Sequence, residues 1–156
     1  MRTMAIVVAL AVMACGRPHW DGDPEIYGVL VVDESSARVT EAPDFRDRFR
    51  RVIQISIDYI GMPAENLDGW RVVFTDHVEC NGEATDGCCV WDDATIWIDI
   101  SRVECPELGV ISHEILHVAI GDPSHSDPRW SGAYLDPLYD RLLGGHVGCR
   151  EPWGHG

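Results

Sequence analysis

The chain contains no lysine, so its twelve basic residues are all arginine. This matches the codon usage of a GC-rich genome and carries no functional signal. Against them stand 26 aspartates and glutamates, for a formal net charge of −14. Phosphate backbones and anionic headgroups repel such a surface, which excludes nucleic acid as a partner. Methionine is missing after Met62. The longest apolar run, Met4 to Ala14, falls short of the roughly 20 residues that cross a bilayer. No EF-hand pattern surrounds Asp21-Gly22-Asp23 or Asp92-Asp93, which read as solvated turns. No hydrolase elbow surrounds Ser112, so serine nucleophilic catalysis is disfavoured. There is no internal repeat, low-complexity tract or second domain boundary. A length of 156 residues with 46% hydrophobic content suits one domain with a real core.

What is there begins at the N-terminus. Arg2 precedes the apolar run, which ends in Val12-Met13-Ala14-Cys15, the layout of a secretory signal peptide. The ending resembles the bacterial lipobox, which implies a lipidated Cys15 and membrane attachment. Ordinary cleavage after Ala14, giving a secreted or periplasmic protein, is the alternative. The expected division is a signal peptide at 1–14, a tether at 15–25 and a single domain at 26–156, exported to the cell envelope as a monomer. Export makes disulfides reasonable. Of six cysteines, Cys80 is expected to pair with Cys88 or Cys89, and Cys105 with Cys149. The adjacent Cys88-Cys89 pair and the lack of paired C-x-x-C motifs disfavour a structural zinc site.

Coarse patterning predicts an α+β fold. Tyr27–Val32 reads as a strand. Pro43–Ile60 reads as a helix, with Phe45, Phe49, Val52, Ile53, Ser56 and Ile60 on one face and Gly61 as its stop. Trp70–Asp76 and Thr95–Ile100 read as strands, and Asn81–Gly87 as a polar loop. Pro106–Ile120 reads as a helix stopped by Gly121. A loop follows to Gly132, and a short helix begins at Asp136-Pro137 and ends at Gly144.

The second helix carries the chemistry. His113 and His117 are four residues apart, so both imidazoles leave one helix face about a turn apart. Two such nitrogens can reach one zinc ion. Glu114 is rotated about 100° from His113, which removes it from the ligand pair and leaves it free to handle protons. This is the physical content of H-E-x-x-H: two ligands and a general base. A catalytic site needs a third protein ligand. His125, in the loop after the helix-ending Gly121, is the leading candidate. Asp127, Asp122, Asp136 and Asp140 are the carboxylate alternatives.

His113-Glu114-Ile115-Leu116-His117 resembles the active-site helix of the zincin metallopeptidases. With Gly121 and His125 it is similar to the extended metzincin motif, although both residues arrive later than that spacing and no Met-turn follows. The resemblance implies a small mixed sheet, a long backing helix and an H-E-x-x-H helix. It further implies a zinc-dependent peptidase that acts on peptide or protein substrates, with His113, His117 and His125 holding Zn2+ and Glu114 as general base. It assigns substrate pairing to the segment Thr95–Ile100 as an edge strand. Tyr134, Tyr139 and His146 are candidates to stabilise the oxyanion.

Blander readings stand beside these. H-E-x-x-H arises by chance in roughly a few per cent of chains with this many histidines. A zinc-binding surface module without turnover is the functional alternative. Trp70, Trp91, Trp97 and Trp130 read as packing residues, with Trp130 the exception because it flanks the metal loop. His19, His77 and His155 read as surface or tail residues.

Overall fold

Two residues of positive φ, Tyr27 at 52° and Gly28 at 74°, open the domain with a tight hairpin. They join β1 (Glu25–Ile26) to β2 (Val29–Asp33), which pair antiparallel. Two adjacent left-handed residues make a turn whose twist matches the strands it joins. The first strand was expected to run on from Tyr27. Instead Tyr27 is a turn residue, because the hairpin needs that backbone. The computed structural model describes residues 25–101 and 109–144. The expected signal peptide, Cys15, Pro106, the Cys105–Cys149 pair and His146 all lie outside the described residues.

After β2 the chain forms α1 (Phe45–Ile60) and returns as β3 (Arg71–Thr75), parallel to β2. The buried face of α1 is Phe45, Phe49, Val52, Ile53, Ser56 and Ile57. Ile57 takes the place expected for Ile60, which is half-buried at the last turn. Gly61 ends the helix at φ 74°, its N–H bonded to the Ile57 carbonyl, the left-handed cap glycine allows.

Next comes a small hairpin, β4 (Glu79–Cys80) and β5 (Glu83–Ala84). Asn81 and Gly82 sit at its tip with φ of 56° and 83°. The polar loop expected over Asn81–Gly87 is therefore this hairpin plus the start of β6 (Gly87–Val90). Asn-Gly is a strong signal for such a turn. Strand β6 runs antiparallel to β7 (Thr95–Asp99), and β7 runs parallel to β3. The five-stranded mixed sheet has the order β1-β2-β3-β7-β6.

That order corrects one expectation. Thr95–Asp99 is an interior strand with neighbours on both sides, and the edge beside it is β6. The physical reason is burial on both faces. Ile96 and Ile98 lie in the core, and Thr95 and Asp99 on the opposite face are also fully buried. Asp99 is satisfied there by Ser101 and by the Val78 N–H, as a buried carboxylate must be.

The helices α2 (Gly109–Ile120) and α3 (Gly132–Leu143) complete the mixed α/β domain. One face of the sheet, with Val31, Val72, Phe74, Ile96 and Ile98, forms a common core with all three helices. Helix α3 begins at Gly132, a turn before the expected Asp136-Pro137 start. The Ser131 carbonyl takes the Tyr134 and Leu135 N–H groups, both at 2.9 Å, and so nucleates the turn early. Pro137 then lies inside the helix, where it lacks the N–H that would serve the Ala133 carbonyl.

Between α1 and α2 the Ser56 and Ser112 hydroxyls lie 2.7 Å apart, fully buried, and Ser56 Oγ donates to the Val52 carbonyl. Ser112 is thus a packing residue between helices, in line with the reading against serine catalysis. Along α2, Val110, Ile111, Ile115 and Leu116 are buried as expected. Val118 and Ala119 are only partly so.

Candidate metal centre

Helix α2 sets the site because it packs on α1 with one face and on β6 with another. His113 and His117 leave it one turn apart, with ring centroids 5.0 Å apart. Gly121 then reverses the chain at φ 63°, its N–H closing on the His117 carbonyl at 2.8 Å. This is the reversal the glycine stop implied. It brings His125 back over the helix, with ring centroids 5.0 Å from His113 and 4.7 Å from His117.

The three rings converge. His113 Nε2 and His125 Nε2 are 3.0 Å apart. One ring nitrogen from each of the three histidines lies within 4.8 Å of the others. Nitrogens bound tetrahedrally to one zinc ion lie roughly 3.4 Å apart, given bonds of about 2.0–2.1 Å, so the donor set suits such an ion. His117 Nδ1 lies 2.7 Å from the Asp122 carbonyl oxygen. Donation to that oxygen puts the proton on Nδ1 and leaves Nε2 with its lone pair, as a ligand requires. Burial, reinforced by the neighbouring His117 and His125 rings, pulls the His113 pKa down to about 3. Burial also lowers that of His117. Both rings are therefore neutral near pH 7, the form that binds metal.

Glu114 lines the same cavity, about 670 Å³ in volume, as the three histidines. Only 4% of it is exposed, and burial pushes its pKa up to about 8. Its close neighbour across the α2–β6 contact is Gly87, where a β-carbon would sit 2.7 Å from Glu114 Oε1 and 2.5 Å from Val110 Cγ1. Cys89, two residues along the same face of β6, is a free thiol with its pKa raised to about 12, by burial first and by the Glu114 charge second. At neutral pH it is a protonated thiol and a poor ligand or nucleophile. The β4–β5 hairpin also walls the cavity, with Glu79 and Glu83 among its lining residues, and is joined to β6 by the disulfide Cys80–Cys88. This is one of the two pairings expected for Cys80.

The carboxylate alternatives separate from the histidines. Asp127 accepts from Arg129 N, Nε and an Nη at 2.8–2.9 Å and caps the short 3-10 turn Pro128–Trp130. Those bonds hold its pKa down to about 2. Asp122 accepts from the loop around it, and the bonds from Ser124 foremost hold its carboxyl well below the usual range. Among the described residues, the one His/Cys/Asp/Glu group gathered closely enough to hold an ion is the three histidines, without Asp136 or Asp140. Tyr134 and Tyr139 do not line the cavity. Tyr134 stacks edge-on against Tyr59, and Tyr139 is partly buried with its pKa pushed up to about 12 by burial.

One contributor was missed in the sequence, and one was only partly read. Trp130 was singled out only as flanking the loop, yet its ring lies 4.3–4.8 Å from all three imidazoles. Gly87 carried no local signal, because what it accommodates is a side chain 27 positions away. Comparisons of this chain with protein-family models, with curated proteins and with solved structures return no match.

Proposed function

We propose that this protein is a zinc-dependent hydrolase of peptide bonds, of zincin type, with Glu114 as its general base. One observation carries the proposal: three imidazoles converge in a cavity that a buried glutamate also lines. His113, His117 and His125 would hold the ion, and zinc bound there would act as a Lewis acid toward a water molecule and the scissile carbonyl. Glu114 takes the proton from the attacking nucleophile and returns it to the leaving amine. Burial raises the proton affinity of this carboxylate, which favours capture of that proton.

Substrate would lie along β6, not along Thr95–Asp99 as the sequence suggested. Strand β6 pairs with β7 on one side, and no described strand occupies its other side. An extended peptide can add there through main-chain bonds, beside the wall that carries Glu79 and Glu83. The disulfide Cys80–Cys88 supports export, since such bonds persist in oxidising compartments, and lipid attachment at Cys15 remains part of this reading.

The test is metal content and cleavage of quenched peptides by purified protein, alongside Glu114→Gln. Zinc in both, with cleavage lost in the variant, is the expected result. Zinc in both without cleavage by either across a broad peptide library would identify a zinc-binding surface module. Absence of zinc uptake by the wild type would sink both readings.

A further inference from the structure

We propose that Asp122 is the positioning residue of the metal centre: its carbonyl orients His117 while its carboxylate holds the loop that delivers His125. The inference rests on the reading of the three histidines as metal ligands, and it adds a residue that H-E-x-x-H does not contain.

The geometry is specific. Asp122 is the first residue after the helix-ending Gly121. Its Oδ1 accepts from Ser124 N at 2.9 Å and from Ser124 Oγ at 2.7 Å. Its Oδ2 accepts from Ser126 Oγ at 3.2 Å, Asp127 N at 2.7 Å and Trp130 Nε1 at 3.1 Å. A carboxylate offers about four lone-pair sites, so five donors saturate it. A group so engaged is a poor candidate for direct ligation and a good one for organising a loop.

What it organises is strained. His125 has φ 57°, a left-handed conformation that a residue with a β-carbon rarely adopts. Its two chain neighbours, Ser124 and Ser126, are both tied to Asp122. The strained residue is therefore gripped on either side by one carboxylate. Without that grip, only the ring contacts of His125 with His113, His117 and Trp130 would oppose the entropy of the loop. The same carboxylate binds the indole N–H of Trp130, whose ring packs 4.4 Å from His125 and 4.3 Å from His117. The Asp122 carbonyl, meanwhile, fixes the proton of His117 on Nδ1. One residue thus governs two of the three ligands by two different groups. Asp127 in the same loop makes a useful contrast, because its carboxylate serves Arg129 and no histidine.

The experiment uses the full chain stripped of metal. Zinc affinity is measured by competition with a chromophoric chelator, the visible spectrum of bound cobalt reports coordination, and melting of the metal-free protein reports structure. Asp122→Ala should weaken zinc binding ~10- to 100-fold, the usual effect of losing a group that orients a ligand. Its cobalt spectrum should fade from the intense tetrahedral form toward the weak six-coordinate one, while metal-free melting changes little. Asp127→Asn should keep both affinity and spectrum. A purely structural Asp122 would lower the melting point and leave the cobalt spectrum unchanged, and that result overturns the proposal. So does equal loss of affinity in Asp127→Asn. Should Asp122→Ala fail to fold, Ser124→Ala with Ser126→Ala removes the two flanking grips, and unchanged zinc affinity in that pair also overturns it. A wild-type protein that takes up neither ion defeats the metal-centre reading itself, a distinct outcome from zinc bound equally by wild type and Asp122→Ala.

Discussion

Gly87 and Glu114 face each other across the contact between β6 and α2 with no room for a β-carbon, which would lie 2.7 Å from the Glu114 carboxylate and 2.5 Å from Val110. The edge strand can approach the helix that closely only because residue 87 is a glycine. The contact fixes where the proposed base sits relative to the histidines and brings the strand's open edge to the same cavity. Gly87→Ala must therefore push either the carboxylate or Val110 aside. Overpacking of this kind costs about 1–3 kcal/mol, and displacing a reacting group by an ångström costs ~100-fold in rate. The expected outcome is a large fall in kcat with zinc affinity held close to that of the wild type. Unchanged kcat would mean that Glu114 does not need its present position.

Glu114 also makes a pH prediction for the metal-free protein. Its folded pKa is raised to about 8 by burial, against an ordinary value of 4.5. The folded state thus holds this proton more tightly than the unfolded state does. For this group, stability is fully present below pH 4.5 and is lost as pH rises toward 8. Glu114→Gln removes the titration. Melting in the presence of a chelator should show the variant gaining on the wild type from pH 5 to pH 9. The gain should be a few kcal/mol, since each pKa unit is worth about 1.4 kcal/mol. A constant difference across that range would mean that the carboxylate is not desolvated in solution. The trade of stability for a poised base is a common one at active sites.

His125 and Asp127 compete for the role of third ligand on sequence grounds, and the structure separates them. His125 Nε2 lies 3.0 Å from His113 Nε2, whereas the Asp127 carboxylate is taken up by Arg129. His125→Ala should weaken zinc binding by more than the ~100-fold expected for loss of an orienting group. Asp127→Ala should leave it within a small factor. Chelator competition on the two variants decides the matter, and the reverse ranking would remove His125 from the site.

These residues also show what was legible from sequence. The i, i+4 pair His113 and His117, the offset of Glu114 and the stop at Gly121 are local facts of helix geometry, so they could be read directly. His125 could be nominated, because a glycine stop implies a returning chain. What holds the loop of His125 could not be read, because the five donors to the Asp122 carboxylate are spread from Ser124 to Trp130, and no periodicity encodes them. Strand pairing failed for a similar reason. The alternation in Thr95–Ile100 identifies a strand, but whether neighbours lie on both sides depends on β3 and β6. Asn81-Gly82 is different. Its hairpin signal was present in the sequence, and a polar composition led it to be read as loop.

The disulfide offers a test of how the cleft wall is held. Cys80 and Cys88 are eight residues apart and join the β4–β5 hairpin to the edge strand. Closing so short a loop in the unfolded chain is worth about 2.5 kcal/mol in the chain-entropy account. The core of the domain lies elsewhere, between the sheet and the three helices. Cys80→Ser with Cys88→Ser should therefore lower stability by about 2–3 kcal/mol without unfolding the protein. The hairpin wall, with Glu79 and Glu83, would be freed from β6. Under the peptidase reading, KM for an extended peptide should rise while zinc affinity stays as it was, because His113, His117 and His125 are placed by α2 and the loop after Gly121. Steady-state kinetics beside a denaturant melt measures both. Loss of zinc binding in the double variant would show instead that the staple supports the metal centre itself.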